Sequence, residues 1–432
     1  MVFPENKFNI DLPVLHSPCI APMPSRMPSP AAAPAVPTQT RRNIRLLVAA
    51  QALGGASPPI IISLGGIVGQ TLSPDASLAT LPVSLYNLGL ALSTIPVALL
   101  MRRVGRRAAY VSGAFMAMLG GVVATMGIAS SSFLLFCIGT ALAGFYGACV
   151  QSYRFAAADI VAPLERPKAI SRIMLGGLIA AVIGPQVVIW TRDLWVTAPF
   201  AGSFLGQTGL ALLALPVLLL LRIPPASQAM VEGVARPLGQ IARSPQFIVA
   251  VLSGIVSYGL MAFIMTAAPM AMVGCGHTVG EAALGIQWHV LAMFAPSFFT
   301  GHLINRFGKI AVTAAGLMLI AGAGLMALAG QELLHFWGSL VLLGVGWNFG
   351  FVGATAMVTD TYTAPERAKV QALNDFLVFG TVAGASFGAG RLLSSGGWDQ
   401  INMLMLPLIG LTLLLLAALA WRGRATTPRF QP

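Results

Sequence analysis

The sequence predicts an all-α integral membrane protein: twelve membrane-spanning helices arranged as two parallel six-helix repeats. Three observations lead there. The 432 residues are 56% hydrophobic and only 9% charged, whereas a soluble domain carries about 25% charged residues. Twelve apolar runs are each long enough, at about 20 residues, to cross a hydrocarbon core of about 30 Å. Four charged residues recur in order at one fixed spacing, which places a repeat boundary near the middle of the chain.

In chain order, residues 1–40 hold nine prolines in an Ala/Ser background. Such a stretch lacks the apolar residues to build a core or a signal peptide, and it reads as a disordered tail. A Pro-rich docking segment is the weaker alternative, and a start codon placed too far upstream accounts for it equally well. The apolar runs follow at 46–68, 81–100, 108–128, 133–152, 169–190, 203–221, 247–272, 283–304, 310–329, 336–358, 370–392 and 400–421. Gly and Pro inside them are what membrane helices tolerate, and strand-like alternation with regular turns, the mark of a membrane barrel, is absent. This divides the chain into the tail, a first half at 41–221, a linker at 222–246, a second half at 247–425, and a short tail at 426–432.

The repeat is visible in "DIVAPLERPKAI", where Asp159, Glu165, Arg166 and Lys168 each have a counterpart 201 residues later in Asp360, Glu366, Arg367 and Lys369. Similarly, "RRVGRR" at 102–107 matches "NRFGK" at 305–309, with Arg103 and Gly105 corresponding to Arg306 and Gly308 at an offset of 203. Both pairs fall in the same ordinal loops. Glu165 and Glu366 precede helix starts, where a carboxylate complements the positive end of the helix dipole. The alternative reading is a charge network that breaks and re-forms as the halves rock.

The net charge of +12 reads as membrane topology and not as a nucleic-acid surface. With the N-terminus cytoplasmic, the inside loops take nearly all the Lys and Arg, leaving Arg192 and Arg391 outside; both termini are then expected in the cytoplasm. The four cysteines show no CxxC spacing and imply neither a disulfide framework nor a metal site.

The loop-2 run "ALLMRRVGRR" and its weaker copy "GHLINRFGK" resemble the signature of the major facilitator superfamily. The likeness covers about residues 41–425 and implies a transporter working by alternating access. The family's acidic position in that loop is Arg102 in the first copy and Asn305 in the second. The blocks "YRFAAAD", "IQWHVLAMFAPSFFTGHLI", "LLGVGWNFGFVGATAMVTD" and "KVQALNDFLVFG" resemble a bacterial branch of the superfamily that includes riboflavin transporters. That resemblance implies an inner-membrane protein moving a small neutral aromatic solute, with riboflavin uptake as the leading expectation. Hydrophobic-drug efflux by proton antiport is the alternative. "GGLIAAVIGP" in the fifth span, similar to the glycine-proline signature of family antiporters but without its following glycine pair, argues for export. The expected partners are the lipid bilayer, the solute and, as an alternative, protons. A monomer is expected, with no cofactor.

The family geometry places a cavity among helices 1, 4, 7 and 10, with contributions from 2, 5, 8 and 11. Gln51, Tyr86, Asn87, Tyr146, Gln151, Tyr258, Gln287, Trp288, Trp347, Asn348, Asn374 and Phe376 supply amides and aromatics there, which suit a flat ring with hydroxyls. For each, helix packing is the plainer role. Successive residues on a helix point about 100° apart, so at most two of Gln287, Trp288 and His289 can face one cavity. Asp375, a carboxylate well inside a span, reads as functional by default. A gate with Arg102, Arg103 or Arg106, repeated weakly at Arg306, is favoured over proton coupling by Asp375. His289 is the other possible proton carrier, against a role as a helix-to-helix hydrogen bond. An integral-membrane enzyme is the rival from another class, but HExxH, phosphate-loop and paired-carboxylate motifs are missing. A non-transporting sensor on the same fold would have the same sequence features.

Overall fold

A computed structural model describes residues 38–162, 165–223 and 236–425. The predicted tail at 1–40 therefore lies outside the described residues except for its last three, which already belong to a helix starting at Thr38. Residues 224–235 of the linker and the short tail at 426–432 also lie outside them.

The spans are α1 (Thr38–Leu72), α2 (Ala76–Val104), α3 (Arg106–Ala129), α4 (Phe133–Asp159), α5 (Lys168–Thr191), α6 (Ala201–Leu219), α7 (Pro245–Gly274), α8 (Val279–Phe294 continued by Ser297–Phe307), α9 (Lys309–Leu328) and α10 (Leu333–Thr361). The helical stretch Lys369–Arg422 is interrupted by Gly397 at φ 72°. It therefore supplies two spans, α11 at 369–396 and α12 at 398–422. Ten stretches are long and apolar enough to cross a membrane on their own; the bent α8 pair and the division at Gly397 bring the described spans to the expected twelve. An even number of spans returns α12 to the face from which α1 starts, here called the near face; the opposite one is the far face.

The sequence repeat is reproduced in the backbone. Gly105 (φ 86°, ψ 161°) and Gly308 (φ 87°, ψ 157°) each close one helix and open the next. Only glycine holds that left-handed turn without strain. Just beyond them, Arg106 pairs with Asp159, and Lys309 Nζ lies 2.5 Å from Asp360 Oδ1. Each pair ties the start of the third helix of a half to the end of the fourth, so Asp159 and its counterpart Asp360 belong to two copies of one brace. Glu165 and Glu366 do sit at helix starts. Glu366 is 2% exposed; its oxygens accept from Thr363 N at 2.8 Å and from Arg236 Nε and Nη2 at 2.7 and 2.8 Å. The linker is thereby fastened to the start of α11.

Close helix approach rests on small residues, as expected where lipid offers no hydrophobic drive between helices. A Cβ at Gly316 of α9 would lie 2.2 Å from the backbone N of Gly350 on α10. Outward-facing Leu134, Trp190, Leu414 and Trp421 are exposed, as lipid-facing side chains are.

Candidate functional site

Two spans are broken, and both breaks border the same cavity. In α1, "GGASPP" interrupts the helix between Gly54 and Ser57, and Gly55, Pro58 and Pro59 line the space. In α8, Pro296 has no N–H to give, and the two segments meet at 44°. The Met293 carbonyl beside the break accepts from Asn348 Nδ2 of α10 at 2.7 Å. The same amide donates to Ser297 Oγ at 2.7 Å, and its Oδ1 accepts from Thr300 at 2.6 Å. Asn348 thus splints the break and is not at the cavity.

The cavity, of about 160 Å³, lies between α1–α6 and α7–α12 and is lined from α1, α2, α4, α5, α7, α8, α10 and α11, the eight helices expected. Of the residues singled out in the sequence, Gln51, Tyr86, Asn87, Gln151, Tyr258 and Trp347 border it. Tyr146 does not: it is fully buried, with its ring against Gly54 of α1. Gln287 is occupied across the halves, accepting from Gln186 Nε2 at 3.1 Å. Trp288 and Phe376 are exposed, and Asn374 donates to its neighbour Asp375 at 3.1 Å. His289 is buried and hydrogen-bonded through Nδ1 to the Leu340 carbonyl at 2.7 Å, joining α8 to α10.

Tyr258 and Trp347 give the cavity an aromatic wall, and Phe351 and Phe379 back it without bordering the space. Tyr258 stands edge-on to Trp347, Phe351 and Phe379 at centroid distances of 5.3, 5.0 and 5.7 Å, while Trp347 stacks on Phe351 at 5.4 Å. Sequence reasoning missed Phe351 and Phe379; the signal was that Phe351 follows Trp347 by one helical turn. Methionines 174, 261, 265 and 293 complete the apolar surface, adaptable side chains that fit irregular shapes.

The more consequential omission is Arg154 of α4. It lines the cavity, and among the described residues no hydrogen bond or ion pair reaches it, its buried Nε included. Tyr86 Oη and Trp347 Nε1 on the same cavity are likewise buried without a partner. Asp375 of α11 does not border the cavity and, among the described residues, makes no ion pair with Arg154. In this structure no ion pair joins Asp375 to Arg102, Arg103 or Arg106 among the described residues; Arg106 is engaged with Asp159. Arg306 lies over the ring of its neighbour Phe307.

The side-chain hydrogen bonds that cross between the halves, among the described residues, all lie toward the far face. They run from Thr80 to the Phe387 carbonyl (3.4 Å), from Asn87 to Ser386 (2.9 Å) and from Gln186 to Gln287 (3.1 Å).

A twelve-span bundle whose halves enclose a cavity between their faces defines a membrane transporter. Residues 46–379 match the Major Facilitator Superfamily, and the chain belongs to that family. It is 59% identical over 378 residues to the riboflavin transporter RfnT of Brucella anthropi, covering 87% of this chain and 95% of the relative. It is also 30% identical to YdeG of Bacillus subtilis, described as an uncharacterized MFS-type transporter, over 89% of this chain and 93% of the relative. Among solved structures, the human organic anion transporter MFSD10 (TETRAN) shares the fold, with a TM-score of 0.64 at 14% identity, covering 88% of this chain and 100% of that one. The protein is a multi-pass membrane transporter and not an enzyme.

Proposed function

We propose that the protein takes up riboflavin across the bacterial inner membrane by alternating access, with both termini cytoplasmic and the single chain as the working unit. The observation that carries the reading is a cavity lined by the aromatic rings of Tyr258 and Trp347, which Phe351 and Phe379 back, together with the amides Gln51, Asn87 and Gln151. A flat ring system finds a stacking surface there, and a polyol finds hydrogen-bond partners. The 59% identity to a riboflavin transporter supports the same solute. The far-face location of the cross-half hydrogen bonds supports a conformation that opens to the near face, which the excess of Lys and Arg in its loops makes the cytoplasmic one.

The test is uptake of labelled riboflavin in a riboflavin-requiring bacterial host, with and without an imposed proton gradient. Growth on low external riboflavin, with uptake blocked by unlabelled riboflavin and not by a cationic dye, is expected. An unchanged host carrying the protein in its membrane, with raised resistance to a lipophilic toxicant, would replace this reading with efflux.

A further inference from the structure

The cavity has an excess of donors with nothing to donate to. Arg154 carries only N–H groups, and so does the Trp347 indole; both are without acceptors, and the Tyr86 hydroxyl is idle beside them. Buried polar groups in a native structure are nearly always paired, so an unpaired set converging on one cavity marks groups whose partner arrives with a ligand. The missing partner is therefore rich in acceptors.

Arg154 narrows this further. A guanidinium presents a planar fork of N–H groups suited to two adjacent acceptors. A carboxylate or phosphate would satisfy the fork; the solute of the proposed function instead brings neighbouring ring acceptors. Asp375 does not itself take up the fork: its only hydrogen bond among the described residues comes from Asn374. The arrangement asks for a ligand with two acceptors side by side.

We propose that Arg154 determines specificity by donating to a pair of adjacent ring acceptors on a heteroaromatic solute. The inference rests on the riboflavin reading. The flavin ring offers two such pairs, a carbonyl beside N1 and a carbonyl beside N5, next to the surface that would stack on Trp347.

The experiment measures competition against labelled riboflavin by 1-deazariboflavin and 5-deazariboflavin, in cells carrying the full chain or the variants Arg154→Gln and Arg154→Lys. Membrane amounts are normalised by immunoblot. The unaltered chain is expected to bind one deaza analogue about tenfold or more weakly than riboflavin, the size of a lost charge-assisted hydrogen bond. Both Arg154 variants lose that discrimination and raise the half-saturation for riboflavin while the maximal rate per molecule changes less. Arg154→Lys keeps the charge and so separates loss of the fork from misfolding. Discrimination of the deaza analogues that is absent from the unaltered chain, or that survives in Arg154→Lys and Arg154→Gln, overturns the role of Arg154. If the unaltered chain takes up no riboflavin at all, the functional reading fails first and carries this inference with it.

Discussion

Trp347 illustrates how one side chain is held for use. Phe351 supports it from one turn along the same helix, and Tyr258 meets it from α7. An aromatic contact is worth about 0.5–1.5 kcal/mol beyond its area. Trp347→Ala is therefore expected to raise the half-saturation for riboflavin up to about tenfold, while Trp347→Phe, which keeps a face, costs less; initial rates over a range of concentrations check both. Glu366 works differently. Hydrogen bonds from Arg236 and Thr363 hold its carboxyl well below the usual carboxylate range. A depressed folded-state pKa contributes stability that is complete above the unfolded value, about 4.3, and is lost as the pH falls through the folded one. The thermal stability of the purified protein should thus exceed that of Glu366→Gln at pH 7, with the gap narrowing only in acid. A gap that does not change with pH would mean the carboxylate's charge contributes nothing.

At the level of helices, the α8 break depends on an amide from a neighbour. Asn348→Ala strands the Met293 carbonyl, at about 1–3 kcal/mol for a buried group left unsatisfied. The expected result is a lower melting temperature in detergent with the half-saturation little altered, the opposite of the pattern for Trp347. Gly316→Ala is expected to destabilise by about 1–3 kcal/mol, as overpacking does, since its Cβ would meet α10 backbone. These cases also show what the sequence could and could not reveal. Hydropathy and the 201-residue spacing are properties of the chain itself, so the twelve spans and their repeat could be read directly. Whether Asn348 or Gln287 faces a ligand or another helix depends on which helix stands opposite, and no single-chain periodicity records that. Arg154 was hidden for a related reason. It sits five residues before Asp159, and in a count of loop cations a guanidinium more than a turn inside the helix looks the same as one at its end.

Taken as a whole, the molecule divides its polar contacts by face. The ion pairs toward the near face, Arg106 with Asp159, Lys309 with Asp360 and Arg236 with Glu366, each stay within one half or join the linker to it. The cross-half hydrogen bonds toward the far face involve hydroxyls, amides and a backbone carbonyl, all uncharged. Passage to the opposite conformation therefore separates neutral groups. Dissolved ions screen charges over a Debye length of about 10 Å at 0.1 M and leave neutral hydrogen bonds nearly untouched. Raising the ionic strength should then leave the rate of opening at the far face almost flat, and chloride, sulfate and phosphate salts at equal ionic strength should behave alike. This seam would work the same way in fresh water as in brine, and a cell whose surroundings change in salinity would need no compensating adjustment to keep the carrier turning over.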